Sequence, residues 1–309
     1  MQQRTFTQYL IISLKGMAMG AADVVPGVSG GTIAFISGIY EELLTSISSI
    51  NFATLKLLKT DGIKATWKAI NANFLVALLA GIFVSILSLA KLISYLLEHK
   101  PIMVWSFFFG LVLASILYVA KQITKWNFVT VLVFILGAIL AYYITTLQPL
   151  ISEHSSPMFL FLAGALAICA MILPGISGAF ILVLLGAYKP VLEAIHNRDF
   201  KLIAILGVGA IVGLLSFSKI LKWLFSNYKN YTLAVLSGFI LGSLNKIWPW
   251  KNVLETRMYG DKEVVIKEAS VLPANFIGEP QILSAIGLAI VGFVVILLLE
   301  KIANTSNVS

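Results

Sequence analysis

Six long apolar stretches, near 74–97, 102–120, 127–147, 202–225, 231–247 and 281–300, dominate this chain. Each is close to the roughly 20 residues that a helix needs to cross a bilayer. A soluble α/β core could bury one or two such runs but not six. The expected fold class is therefore an all-α polytopic membrane protein, built as a single integral membrane domain over residues 1–309. Composition agrees, since 12% of the residues are charged, about half the roughly 25% of an average soluble domain. The net charge of +8 suits lysine-bearing loops beside anionic headgroups. No basic cluster interleaves with exposed aromatics, so nucleic acid is not an expected partner. The opening "MQQRTFTQYLIISLKG" has the look of a secretory signal, but Lys15 interrupts its apolar run, and the segment is expected to remain in the protein. Cys169 is the single cysteine, and His99, His154 and His196 form no metal-ligand spacing, so neither a disulfide framework nor a metal site is expected.

Twice the apolar sequence is broken by nearly the same words, "DVVPGVSGGTIAFISGIY" at 23–40 and "MILPGISGAFILVLLGAY" at 171–188. A shift of 148 superimposes them without a gap, with 11 identities over the 32 residues 16–47. A shift of 128 aligns the following spans, where Gly81, Ser88 and Lys91 meet Gly209, Ser216 and Lys219, and Gly110 and Ser115 meet Gly238 and Ser243. An internal duplication explains both, with one repeat over about 1–150, a second over about 157–302, and a polar loop inserted at 249–279.

Proline lacks an N–H and disfavours helix in the residue before it, while glycine permits turns that other residues cannot make. Pro26-Gly27 and Pro174-Gly175 should therefore break their helices, with new ones starting near Ser29 and Ser177. Serine is a good N-cap, and the free N–H groups of a first helical turn favour an anion. Broken backbone at membrane depth is tolerated only where protein or a water-filled cavity surrounds it, so the motifs are expected to line a polar site. A kinked helix packing its small residues against neighbours is the bland alternative.

Topology has two solutions. If each motif is a re-entrant hairpin, each half adds three transmembrane helices and the second half is inverted. If each motif spans, each half crosses four times and the repeats are parallel. Lys56, Lys59, Lys64, Lys68, Lys121 and Lys125 mark their loops as cytoplasmic, which both solutions satisfy. Hairpins leave Lys189, Arg198, Lys201 and the insertion's Lys251, Arg257, Lys262 and Lys267 outside, against the charge rule. The shortness of each charge-poor arm and its Pro-Gly turn still favour the inverted, re-entrant arrangement.

The stretches "GMAMGAADVVPGVSGGTIAFISGIYEELL" and "AMILPGISGAFILVLLGAYKPVLEA" resemble the polyprenyl-phosphate transporter family, long catalogued as a bacterial domain of unknown function. The resemblance implies a flippase in the bacterial plasma membrane that returns undecaprenyl phosphate from the outer to the inner leaflet, for reuse in cell-wall and surface-glycan synthesis. The signature falls on Asp23, Pro26, Gly27, Ser29, Gly30, Gly31, Thr32, Gly38 and Tyr40, and in the second copy on Pro174, Gly175, Ser177, Gly178, Gly186 and Tyr188. Asp23 and Thr32 have no counterparts, being replaced by Met171 and Phe180. A lipid phosphate needs N–H and hydroxyl donors and a cation. The expected substrate-binding residues are Ser29, Gly30, Gly31, Thr32, Tyr40, Ser177, Gly178, Tyr188 and Lys15, with the halves rocking around the headgroup.

A charge at the bilayer centre costs about 2.5–3.5 kcal/mol on insertion scales and needs a reason. For Asp23 the functional reason is coupling of transport to a proton or sodium gradient, or pairing with Lys15. The structural one is capping of backbone N–H groups. Lys15 either contacts phosphate or snorkels to the headgroups. No cofactor and no catalytic residue is expected. The nearest enzymatic rival, an integral-membrane undecaprenyl-diphosphate phosphatase, carries a Pro-Gly-x-Ser-Arg-Ser signature. Here Gly30 and Gly178 occupy the arginine's place, and phosphoryl transfer depends on such a cation. A transporter of a small soluble anion is the other alternative.

Overall fold

The computed structural model describes residues 4–25, 27–149, 156–259 and 262–306. Its helices follow the apolar pattern closely. The first half contains α1 (Phe6–Val24), α2 (Gly30–Ile36), α3 (Tyr40–Ser48), α4 (Phe52–Thr60), α5 (Gly62–Ala69), α6 (Ala72–His99), α7 (Pro101–Lys121) and α8 (Phe128–Thr146). The second contains α9 (Pro157–Ile172), α10 (Gly178–Leu184), α11 (Tyr188–His196), α12 (Phe200–Asn227), α13 (Lys229–Ser243) and α14 (Ile282–Ser306). Helix starts are locally encoded. Thr5 and Gln8 form a reciprocal capping box before α1, and Asn51, Asn127, Ser156 and Asp199 each cap a helix through the side chain.

Four helices, α6, α7, α8 and α12, are long and apolar enough to cross a bilayer, or five spans if the bent pair α10–α11 counts as one. The last two apolar stretches of the sequence are helical but shorter. α13 has 15 residues before it tightens into a 3₁₀ turn at Leu244–Ile247, and the apolar part of α14 covers Ile282–Leu298. Leu79, Phe83 and Leu87 on α6, Leu136 and Ile139 on α8, and Val208 and Ile211 on α12 are exposed, which suits contact with acyl chains.

Helices pack in four main pairs, α1 with α6, α9 with α12, α7 with α14, and α8 with α13. Glycines let their backbones touch. A Cβ on Gly16 would collide with the Leu78 carbonyl, and one on Gly81 with that of Ser13. Gly164 lies likewise on Leu206 and Gly209 on Phe161. Gly110 lies on Ala289, Gly292 on Phe107, Gly238 on Phe134 and Gly137 on Val235. Without a hydrophobic force between helices in lipid, such close approach is what holds them together. Gly110→Val should destabilise the protein by about 1–3 kcal/mol through overpacking. A melting temperature in detergent equal to that of the parent protein would contradict this.

The core mixes both halves. Tyr40, Leu44, Phe74 and Leu78 from the first half are fully buried in one cluster with Leu233, Leu236 and Ile240 from α13. At one end of the bundle Lys229 pairs with Glu41 at 2.7 Å, and the Thr124 N–H donates to Asn230 Oδ1 at 3.1 Å. The α7–α8 and α12–α13 turns therefore meet there, beside the start of α3. Glu42, next in sequence, holds Arg4 through two hydrogen bonds of 2.6 and 2.8 Å.

The insertion is not the polar loop that the sequence suggests. It folds as an antiparallel hairpin of β1 (Lys251–Tyr259) and β2 (Lys262–Ser270), in register from Lys251 opposite Ser270 to Tyr259 opposite Lys262, with a bulge near Leu254. Its alternating residues are too mixed in polarity to advertise strands. Tryptophans anchor it, the Trp248 indole donating to the Val271 carbonyl at 2.8 Å and that of Trp250 to Pro280 at 2.7 Å.

Candidate functional site at the crossing of the two motifs

α1 stops at Val24, and the chain turns through Gly27, whose φ of +84° is open to glycine at little cost. Ser29 then caps α2, its hydroxyl accepting the Gly31 N–H at 3.0 Å, while Asp23 Oδ1 accepts the Gly30 N–H at 2.7 Å. At the far end of α2 the Lys15 ammonium donates to the Ser37 carbonyl at 2.6 Å. Two charges of α1 thus hold the two ends of α2, a carboxylate at its N-terminus and an ammonium at its C-terminus. Both have the sign that the helix dipole favours. A seven-residue helix is unstable alone, and this clamp is the local reason it stands.

The second motif repeats the path without the clamp. α9 ends at Ile172, Gly175 has φ +92°, Ser177 occupies the N-cap position of α10, and α10 bends by 106° into α11. Ser177 makes no side-chain capping bond. The positions matching Asp23 and Lys15 hold Met171 and Ala163.

The two motifs touch each other. The Ser29 hydroxyl donates to the Met171 carbonyl at 2.8 Å, and the Tyr40 hydroxyl donates to the Ile172 carbonyl at 3.1 Å. The Gly175 N–H donates to Thr32 Oγ1 at 2.9 Å, and a Cβ on Gly31 would overlap the Ile172 carbonyl. The last carbonyls of a broken helix lack intrahelical partners, and here the other motif supplies them. Ser29 and Thr32 are 0% and 1% exposed, so in this conformation a ligand does not reach them.

Beside the crossing lies a cationic cluster. Lys246, in the 3₁₀ turn after α13, packs its stem on Gly27, where a Cβ would be 2.7 Å from Lys246 Cγ. Its ammonium is 5.1 Å from the centre of the Phe180 ring in α10 and 2.8 Å from Glu268 Oε1 in β2. Lys251 Nζ is 3.2 Å from the same oxygen, 2.6 Å from the Lys246 carbonyl, and 4.2 Å from the centre of the Trp105 ring. Burial lowers the Lys251 pKa to about 8 despite the carboxylate. Burial pushes Glu268 up, but the two ammoniums outweigh it and hold its carboxyl below the ordinary value. At the other end of the bundle Phe35, Gly38, Tyr40, Glu41, Tyr118, Lys121 and Gln122 line a cavity of about 390 Å³.

Residues 19–265 match the model of a family described as undecaprenyl phosphate translocase-like. The chain is 49% identical over 303 residues to a polyprenyl-phosphate transporter of Vibrio cholerae serotype O1, covering 96% of this chain and 97% of that protein. The chain belongs to this family. A polyprenyl-phosphate transporter of Staphylococcus aureus is 31% identical over 253 residues, 76% of this chain and 85% of the relative. No solved structure matches the chain.

For this translocase-like family member, the structure brings Ser29, Gly30, Gly31, Thr32 and Tyr40 against the second break around Gly175. Pro174 is buried at that break, and Pro26 lies outside the described residues. The first-turn N–H groups of α2 already have acceptors, Gly30 on Asp23, Gly31 on the Ser29 hydroxyl and Thr32 on the Ser29 carbonyl at 2.9 Å. Lys15 serves the end of α2, and Asp23 is bonded to backbone. Tyr188 is half-buried at the start of α11. Sequence reasoning missed Lys246 and Glu268 and took Lys251 only as a loop charge. The available signal was that Lys246 follows an apolar span directly, a position that snorkelling also explains.

Proposed function

We propose that the protein is a flippase for a polyprenyl phosphate, moving undecaprenyl phosphate from the outer to the inner leaflet of the bacterial plasma membrane for reuse in envelope glycan synthesis. The 49% identity to a polyprenyl-phosphate transporter over nearly the full length of both chains carries this reading. The crossing of two broken motifs is consistent with it. Parting Ser29 from Met171 and Thr32 from Gly175 would release hydroxyl and N–H groups toward a headgroup, with Ser177 and Gly178 on the opposing side. The phosphatase alternative finds no support here. A Cβ at Gly30 would be 2.6 Å from the Asp23 carboxylate and one at Gly178 2.7 Å from the Ala167 carbonyl, so neither arginine position has room for a side chain.

Two inverted repeats, each a re-entrant motif with three further helices, are the architecture we infer. Its support lies in the glycine contacts. Gly16 on Leu78 becomes Gly164 on Leu206, and Gly81 on Ser13 becomes Gly209 on Phe161, under the same shifts of 148 and 128 that align the sequence. Gly110 on Ala289 and Gly238 on Phe134 exchange the halves in the same way, as do Gly292 on Phe107 and Gly137 on Val235. The turns joined by Lys229–Glu41 and Thr124–Asn230 lie at one end, and α12 must therefore start at the other. That is where a re-entrant α9–α10–α11 would deliver the chain.

Reconstituted vesicles carrying a fluorescent polyprenyl phosphate in one leaflet test the function. Protein-dependent loss of outer-leaflet signal is the expected result. Vesicles that exchange no faster than protein-free ones, while taking up a soluble anion, would replace this reading by anion transport.

A further inference from the structure

The crossing of the two motifs has hydroxyls and amides, but the cations a phosphate dianion requires lie beside it. We infer that Lys246 and Lys251 form the docking site for the phosphomonoester headgroup at the hairpin end of the bundle, and that Glu268 occupies this site as an internal anion which the headgroup displaces. The inference rests on the flippase reading for the identity of the lipid, and on geometry for the site.

Position comes first. The Lys246 stem lies on Gly27 of one motif and its ammonium faces the Phe180 ring of the other, so this one side chain touches both breaks. A group bound there is next to the seam that must open. Charge is the second argument. Two ammoniums converge on a single carboxylate oxygen, at 2.8 and 3.2 Å, which leaves the cluster one positive charge in excess. A phosphomonoester carries about −1.5 to −2 charge near neutral pH and three strong acceptor oxygens. It would balance both lysines where Glu268 balances one.

Preorganisation is the third. The Lys251 side chain is 8% exposed and is aimed by the Lys246 carbonyl and the Trp105 face, so its ammonium is fixed before any ligand arrives. Such fixing lowers the ordering cost of binding. Glu268 comes from β2, a separate layer laid over the helices, whereas both lysines belong to or adjoin the α13 end. Withdrawing the hairpin edge would free the cations without disturbing the bundle, and its return would expel the headgroup.

The test uses the full-length protein in nanodiscs, with intrinsic tryptophan fluorescence read against added undecaprenyl phosphate, undecaprenol and inorganic phosphate. Lys246→Gln and Lys251→Gln should each weaken undecaprenyl phosphate binding at least tenfold and leave undecaprenol unaffected. Glu268→Gln, which removes the competitor, should tighten it several-fold; a variant that has lost its fold cannot do so. Wild-type affinity in both lysine variants, or weaker binding in Glu268→Gln, would overturn the site and leave an ion pair that merely fastens the hairpin. Inorganic phosphate binding as tightly as the lipid would overturn the lipid assignment. Lysine-dependent lipid binding without leaflet exchange would keep this site and defeat the flippase reading, while exchange with lysine-independent binding would do the reverse.

Discussion

Gly31→Val is expected to abolish polyprenyl phosphate exchange in reconstituted vesicles and to lower the melting temperature. The reason is local and severe. A Cβ at Gly31 points into the backbone at the end of α9, overlapping the Ile172 carbonyl and lying 2.8 Å from that of Met171. Backbone cannot rotate aside as a side chain can, so the two motifs must separate. Separation breaks the Ser29–Met171, Tyr40–Ile172 and Gly175–Thr32 hydrogen bonds together. Overpacking costs about 1–3 kcal/mol. Each buried group left unpaired adds about 1–3 kcal/mol. The control is Gly207→Ala, where nothing lies within 4 Å of the new methyl. There the helix should gain slightly, by about 0.5–1 kcal/mol from propensity. Gly31→Val protein that exchanges lipid at the parent rate with unchanged melting would refute the idea that the seam between motifs is the moving part.

Asp23 separates two roles cleanly. Asn keeps an oxygen that can accept the Gly30 N–H, whereas Leu does not. Asp23→Leu should therefore lose about 1–3 kcal/mol through the unpaired N–H. It also forfeits the favourable charge at the N-terminus of α2, worth about 0.3–1 kcal/mol or up to ~2 when partly buried. Asp23→Asn should melt within about 1 kcal/mol of the parent, since only the dipole contribution is lost. If Asp23 couples transport to protons, Asp23→Asn vesicles will exchange lipid at one rate with or without an imposed pH gradient, while the parent accelerates. An equal response in both leaves Asp23 as a cap alone. Equal melting of the Leu and Asn variants would instead remove the cap.

Much of the site was legible because proline and glycine act on their own backbone. Breaks at 25–29 and 173–177, new helices beginning at Gly30 and Gly178, and left-handed Gly27 and Gly175 all follow from missing N–H groups and permitted φ angles. The matching of Gly16 to Gly164 and Gly81 to Gly209 was also visible, though not that each pair is where two backbones touch. Less legible was the fate of the polar groups. An N-capping serine and free first-turn amides advertise an anion site, but the same donors serve a neighbouring broken helix equally well. The hairpin at 251–270 was missed because its strands, in a two-stranded ribbon outside the bundle, show no clean alternation.

The sequence by itself determined that this chain crosses a membrane with helices and breaks twice, since length, apolarity and backbone chemistry are local properties. Only the tertiary structure decided what the breaks meet. Ser29 finds Met171 across 142 residues of chain, and Lys229 finds Glu41 across 188. Lys246 rests on Gly27 and Glu268 joins it from a strand. Those partnerships depend on where whole helices lie, which no residue specifies through its own neighbours. Charge makes the point most plainly. Asp23 and Lys15 read as costly exceptions in an apolar run until α2 folds back between them, and its two ends supply partners of opposite polarity.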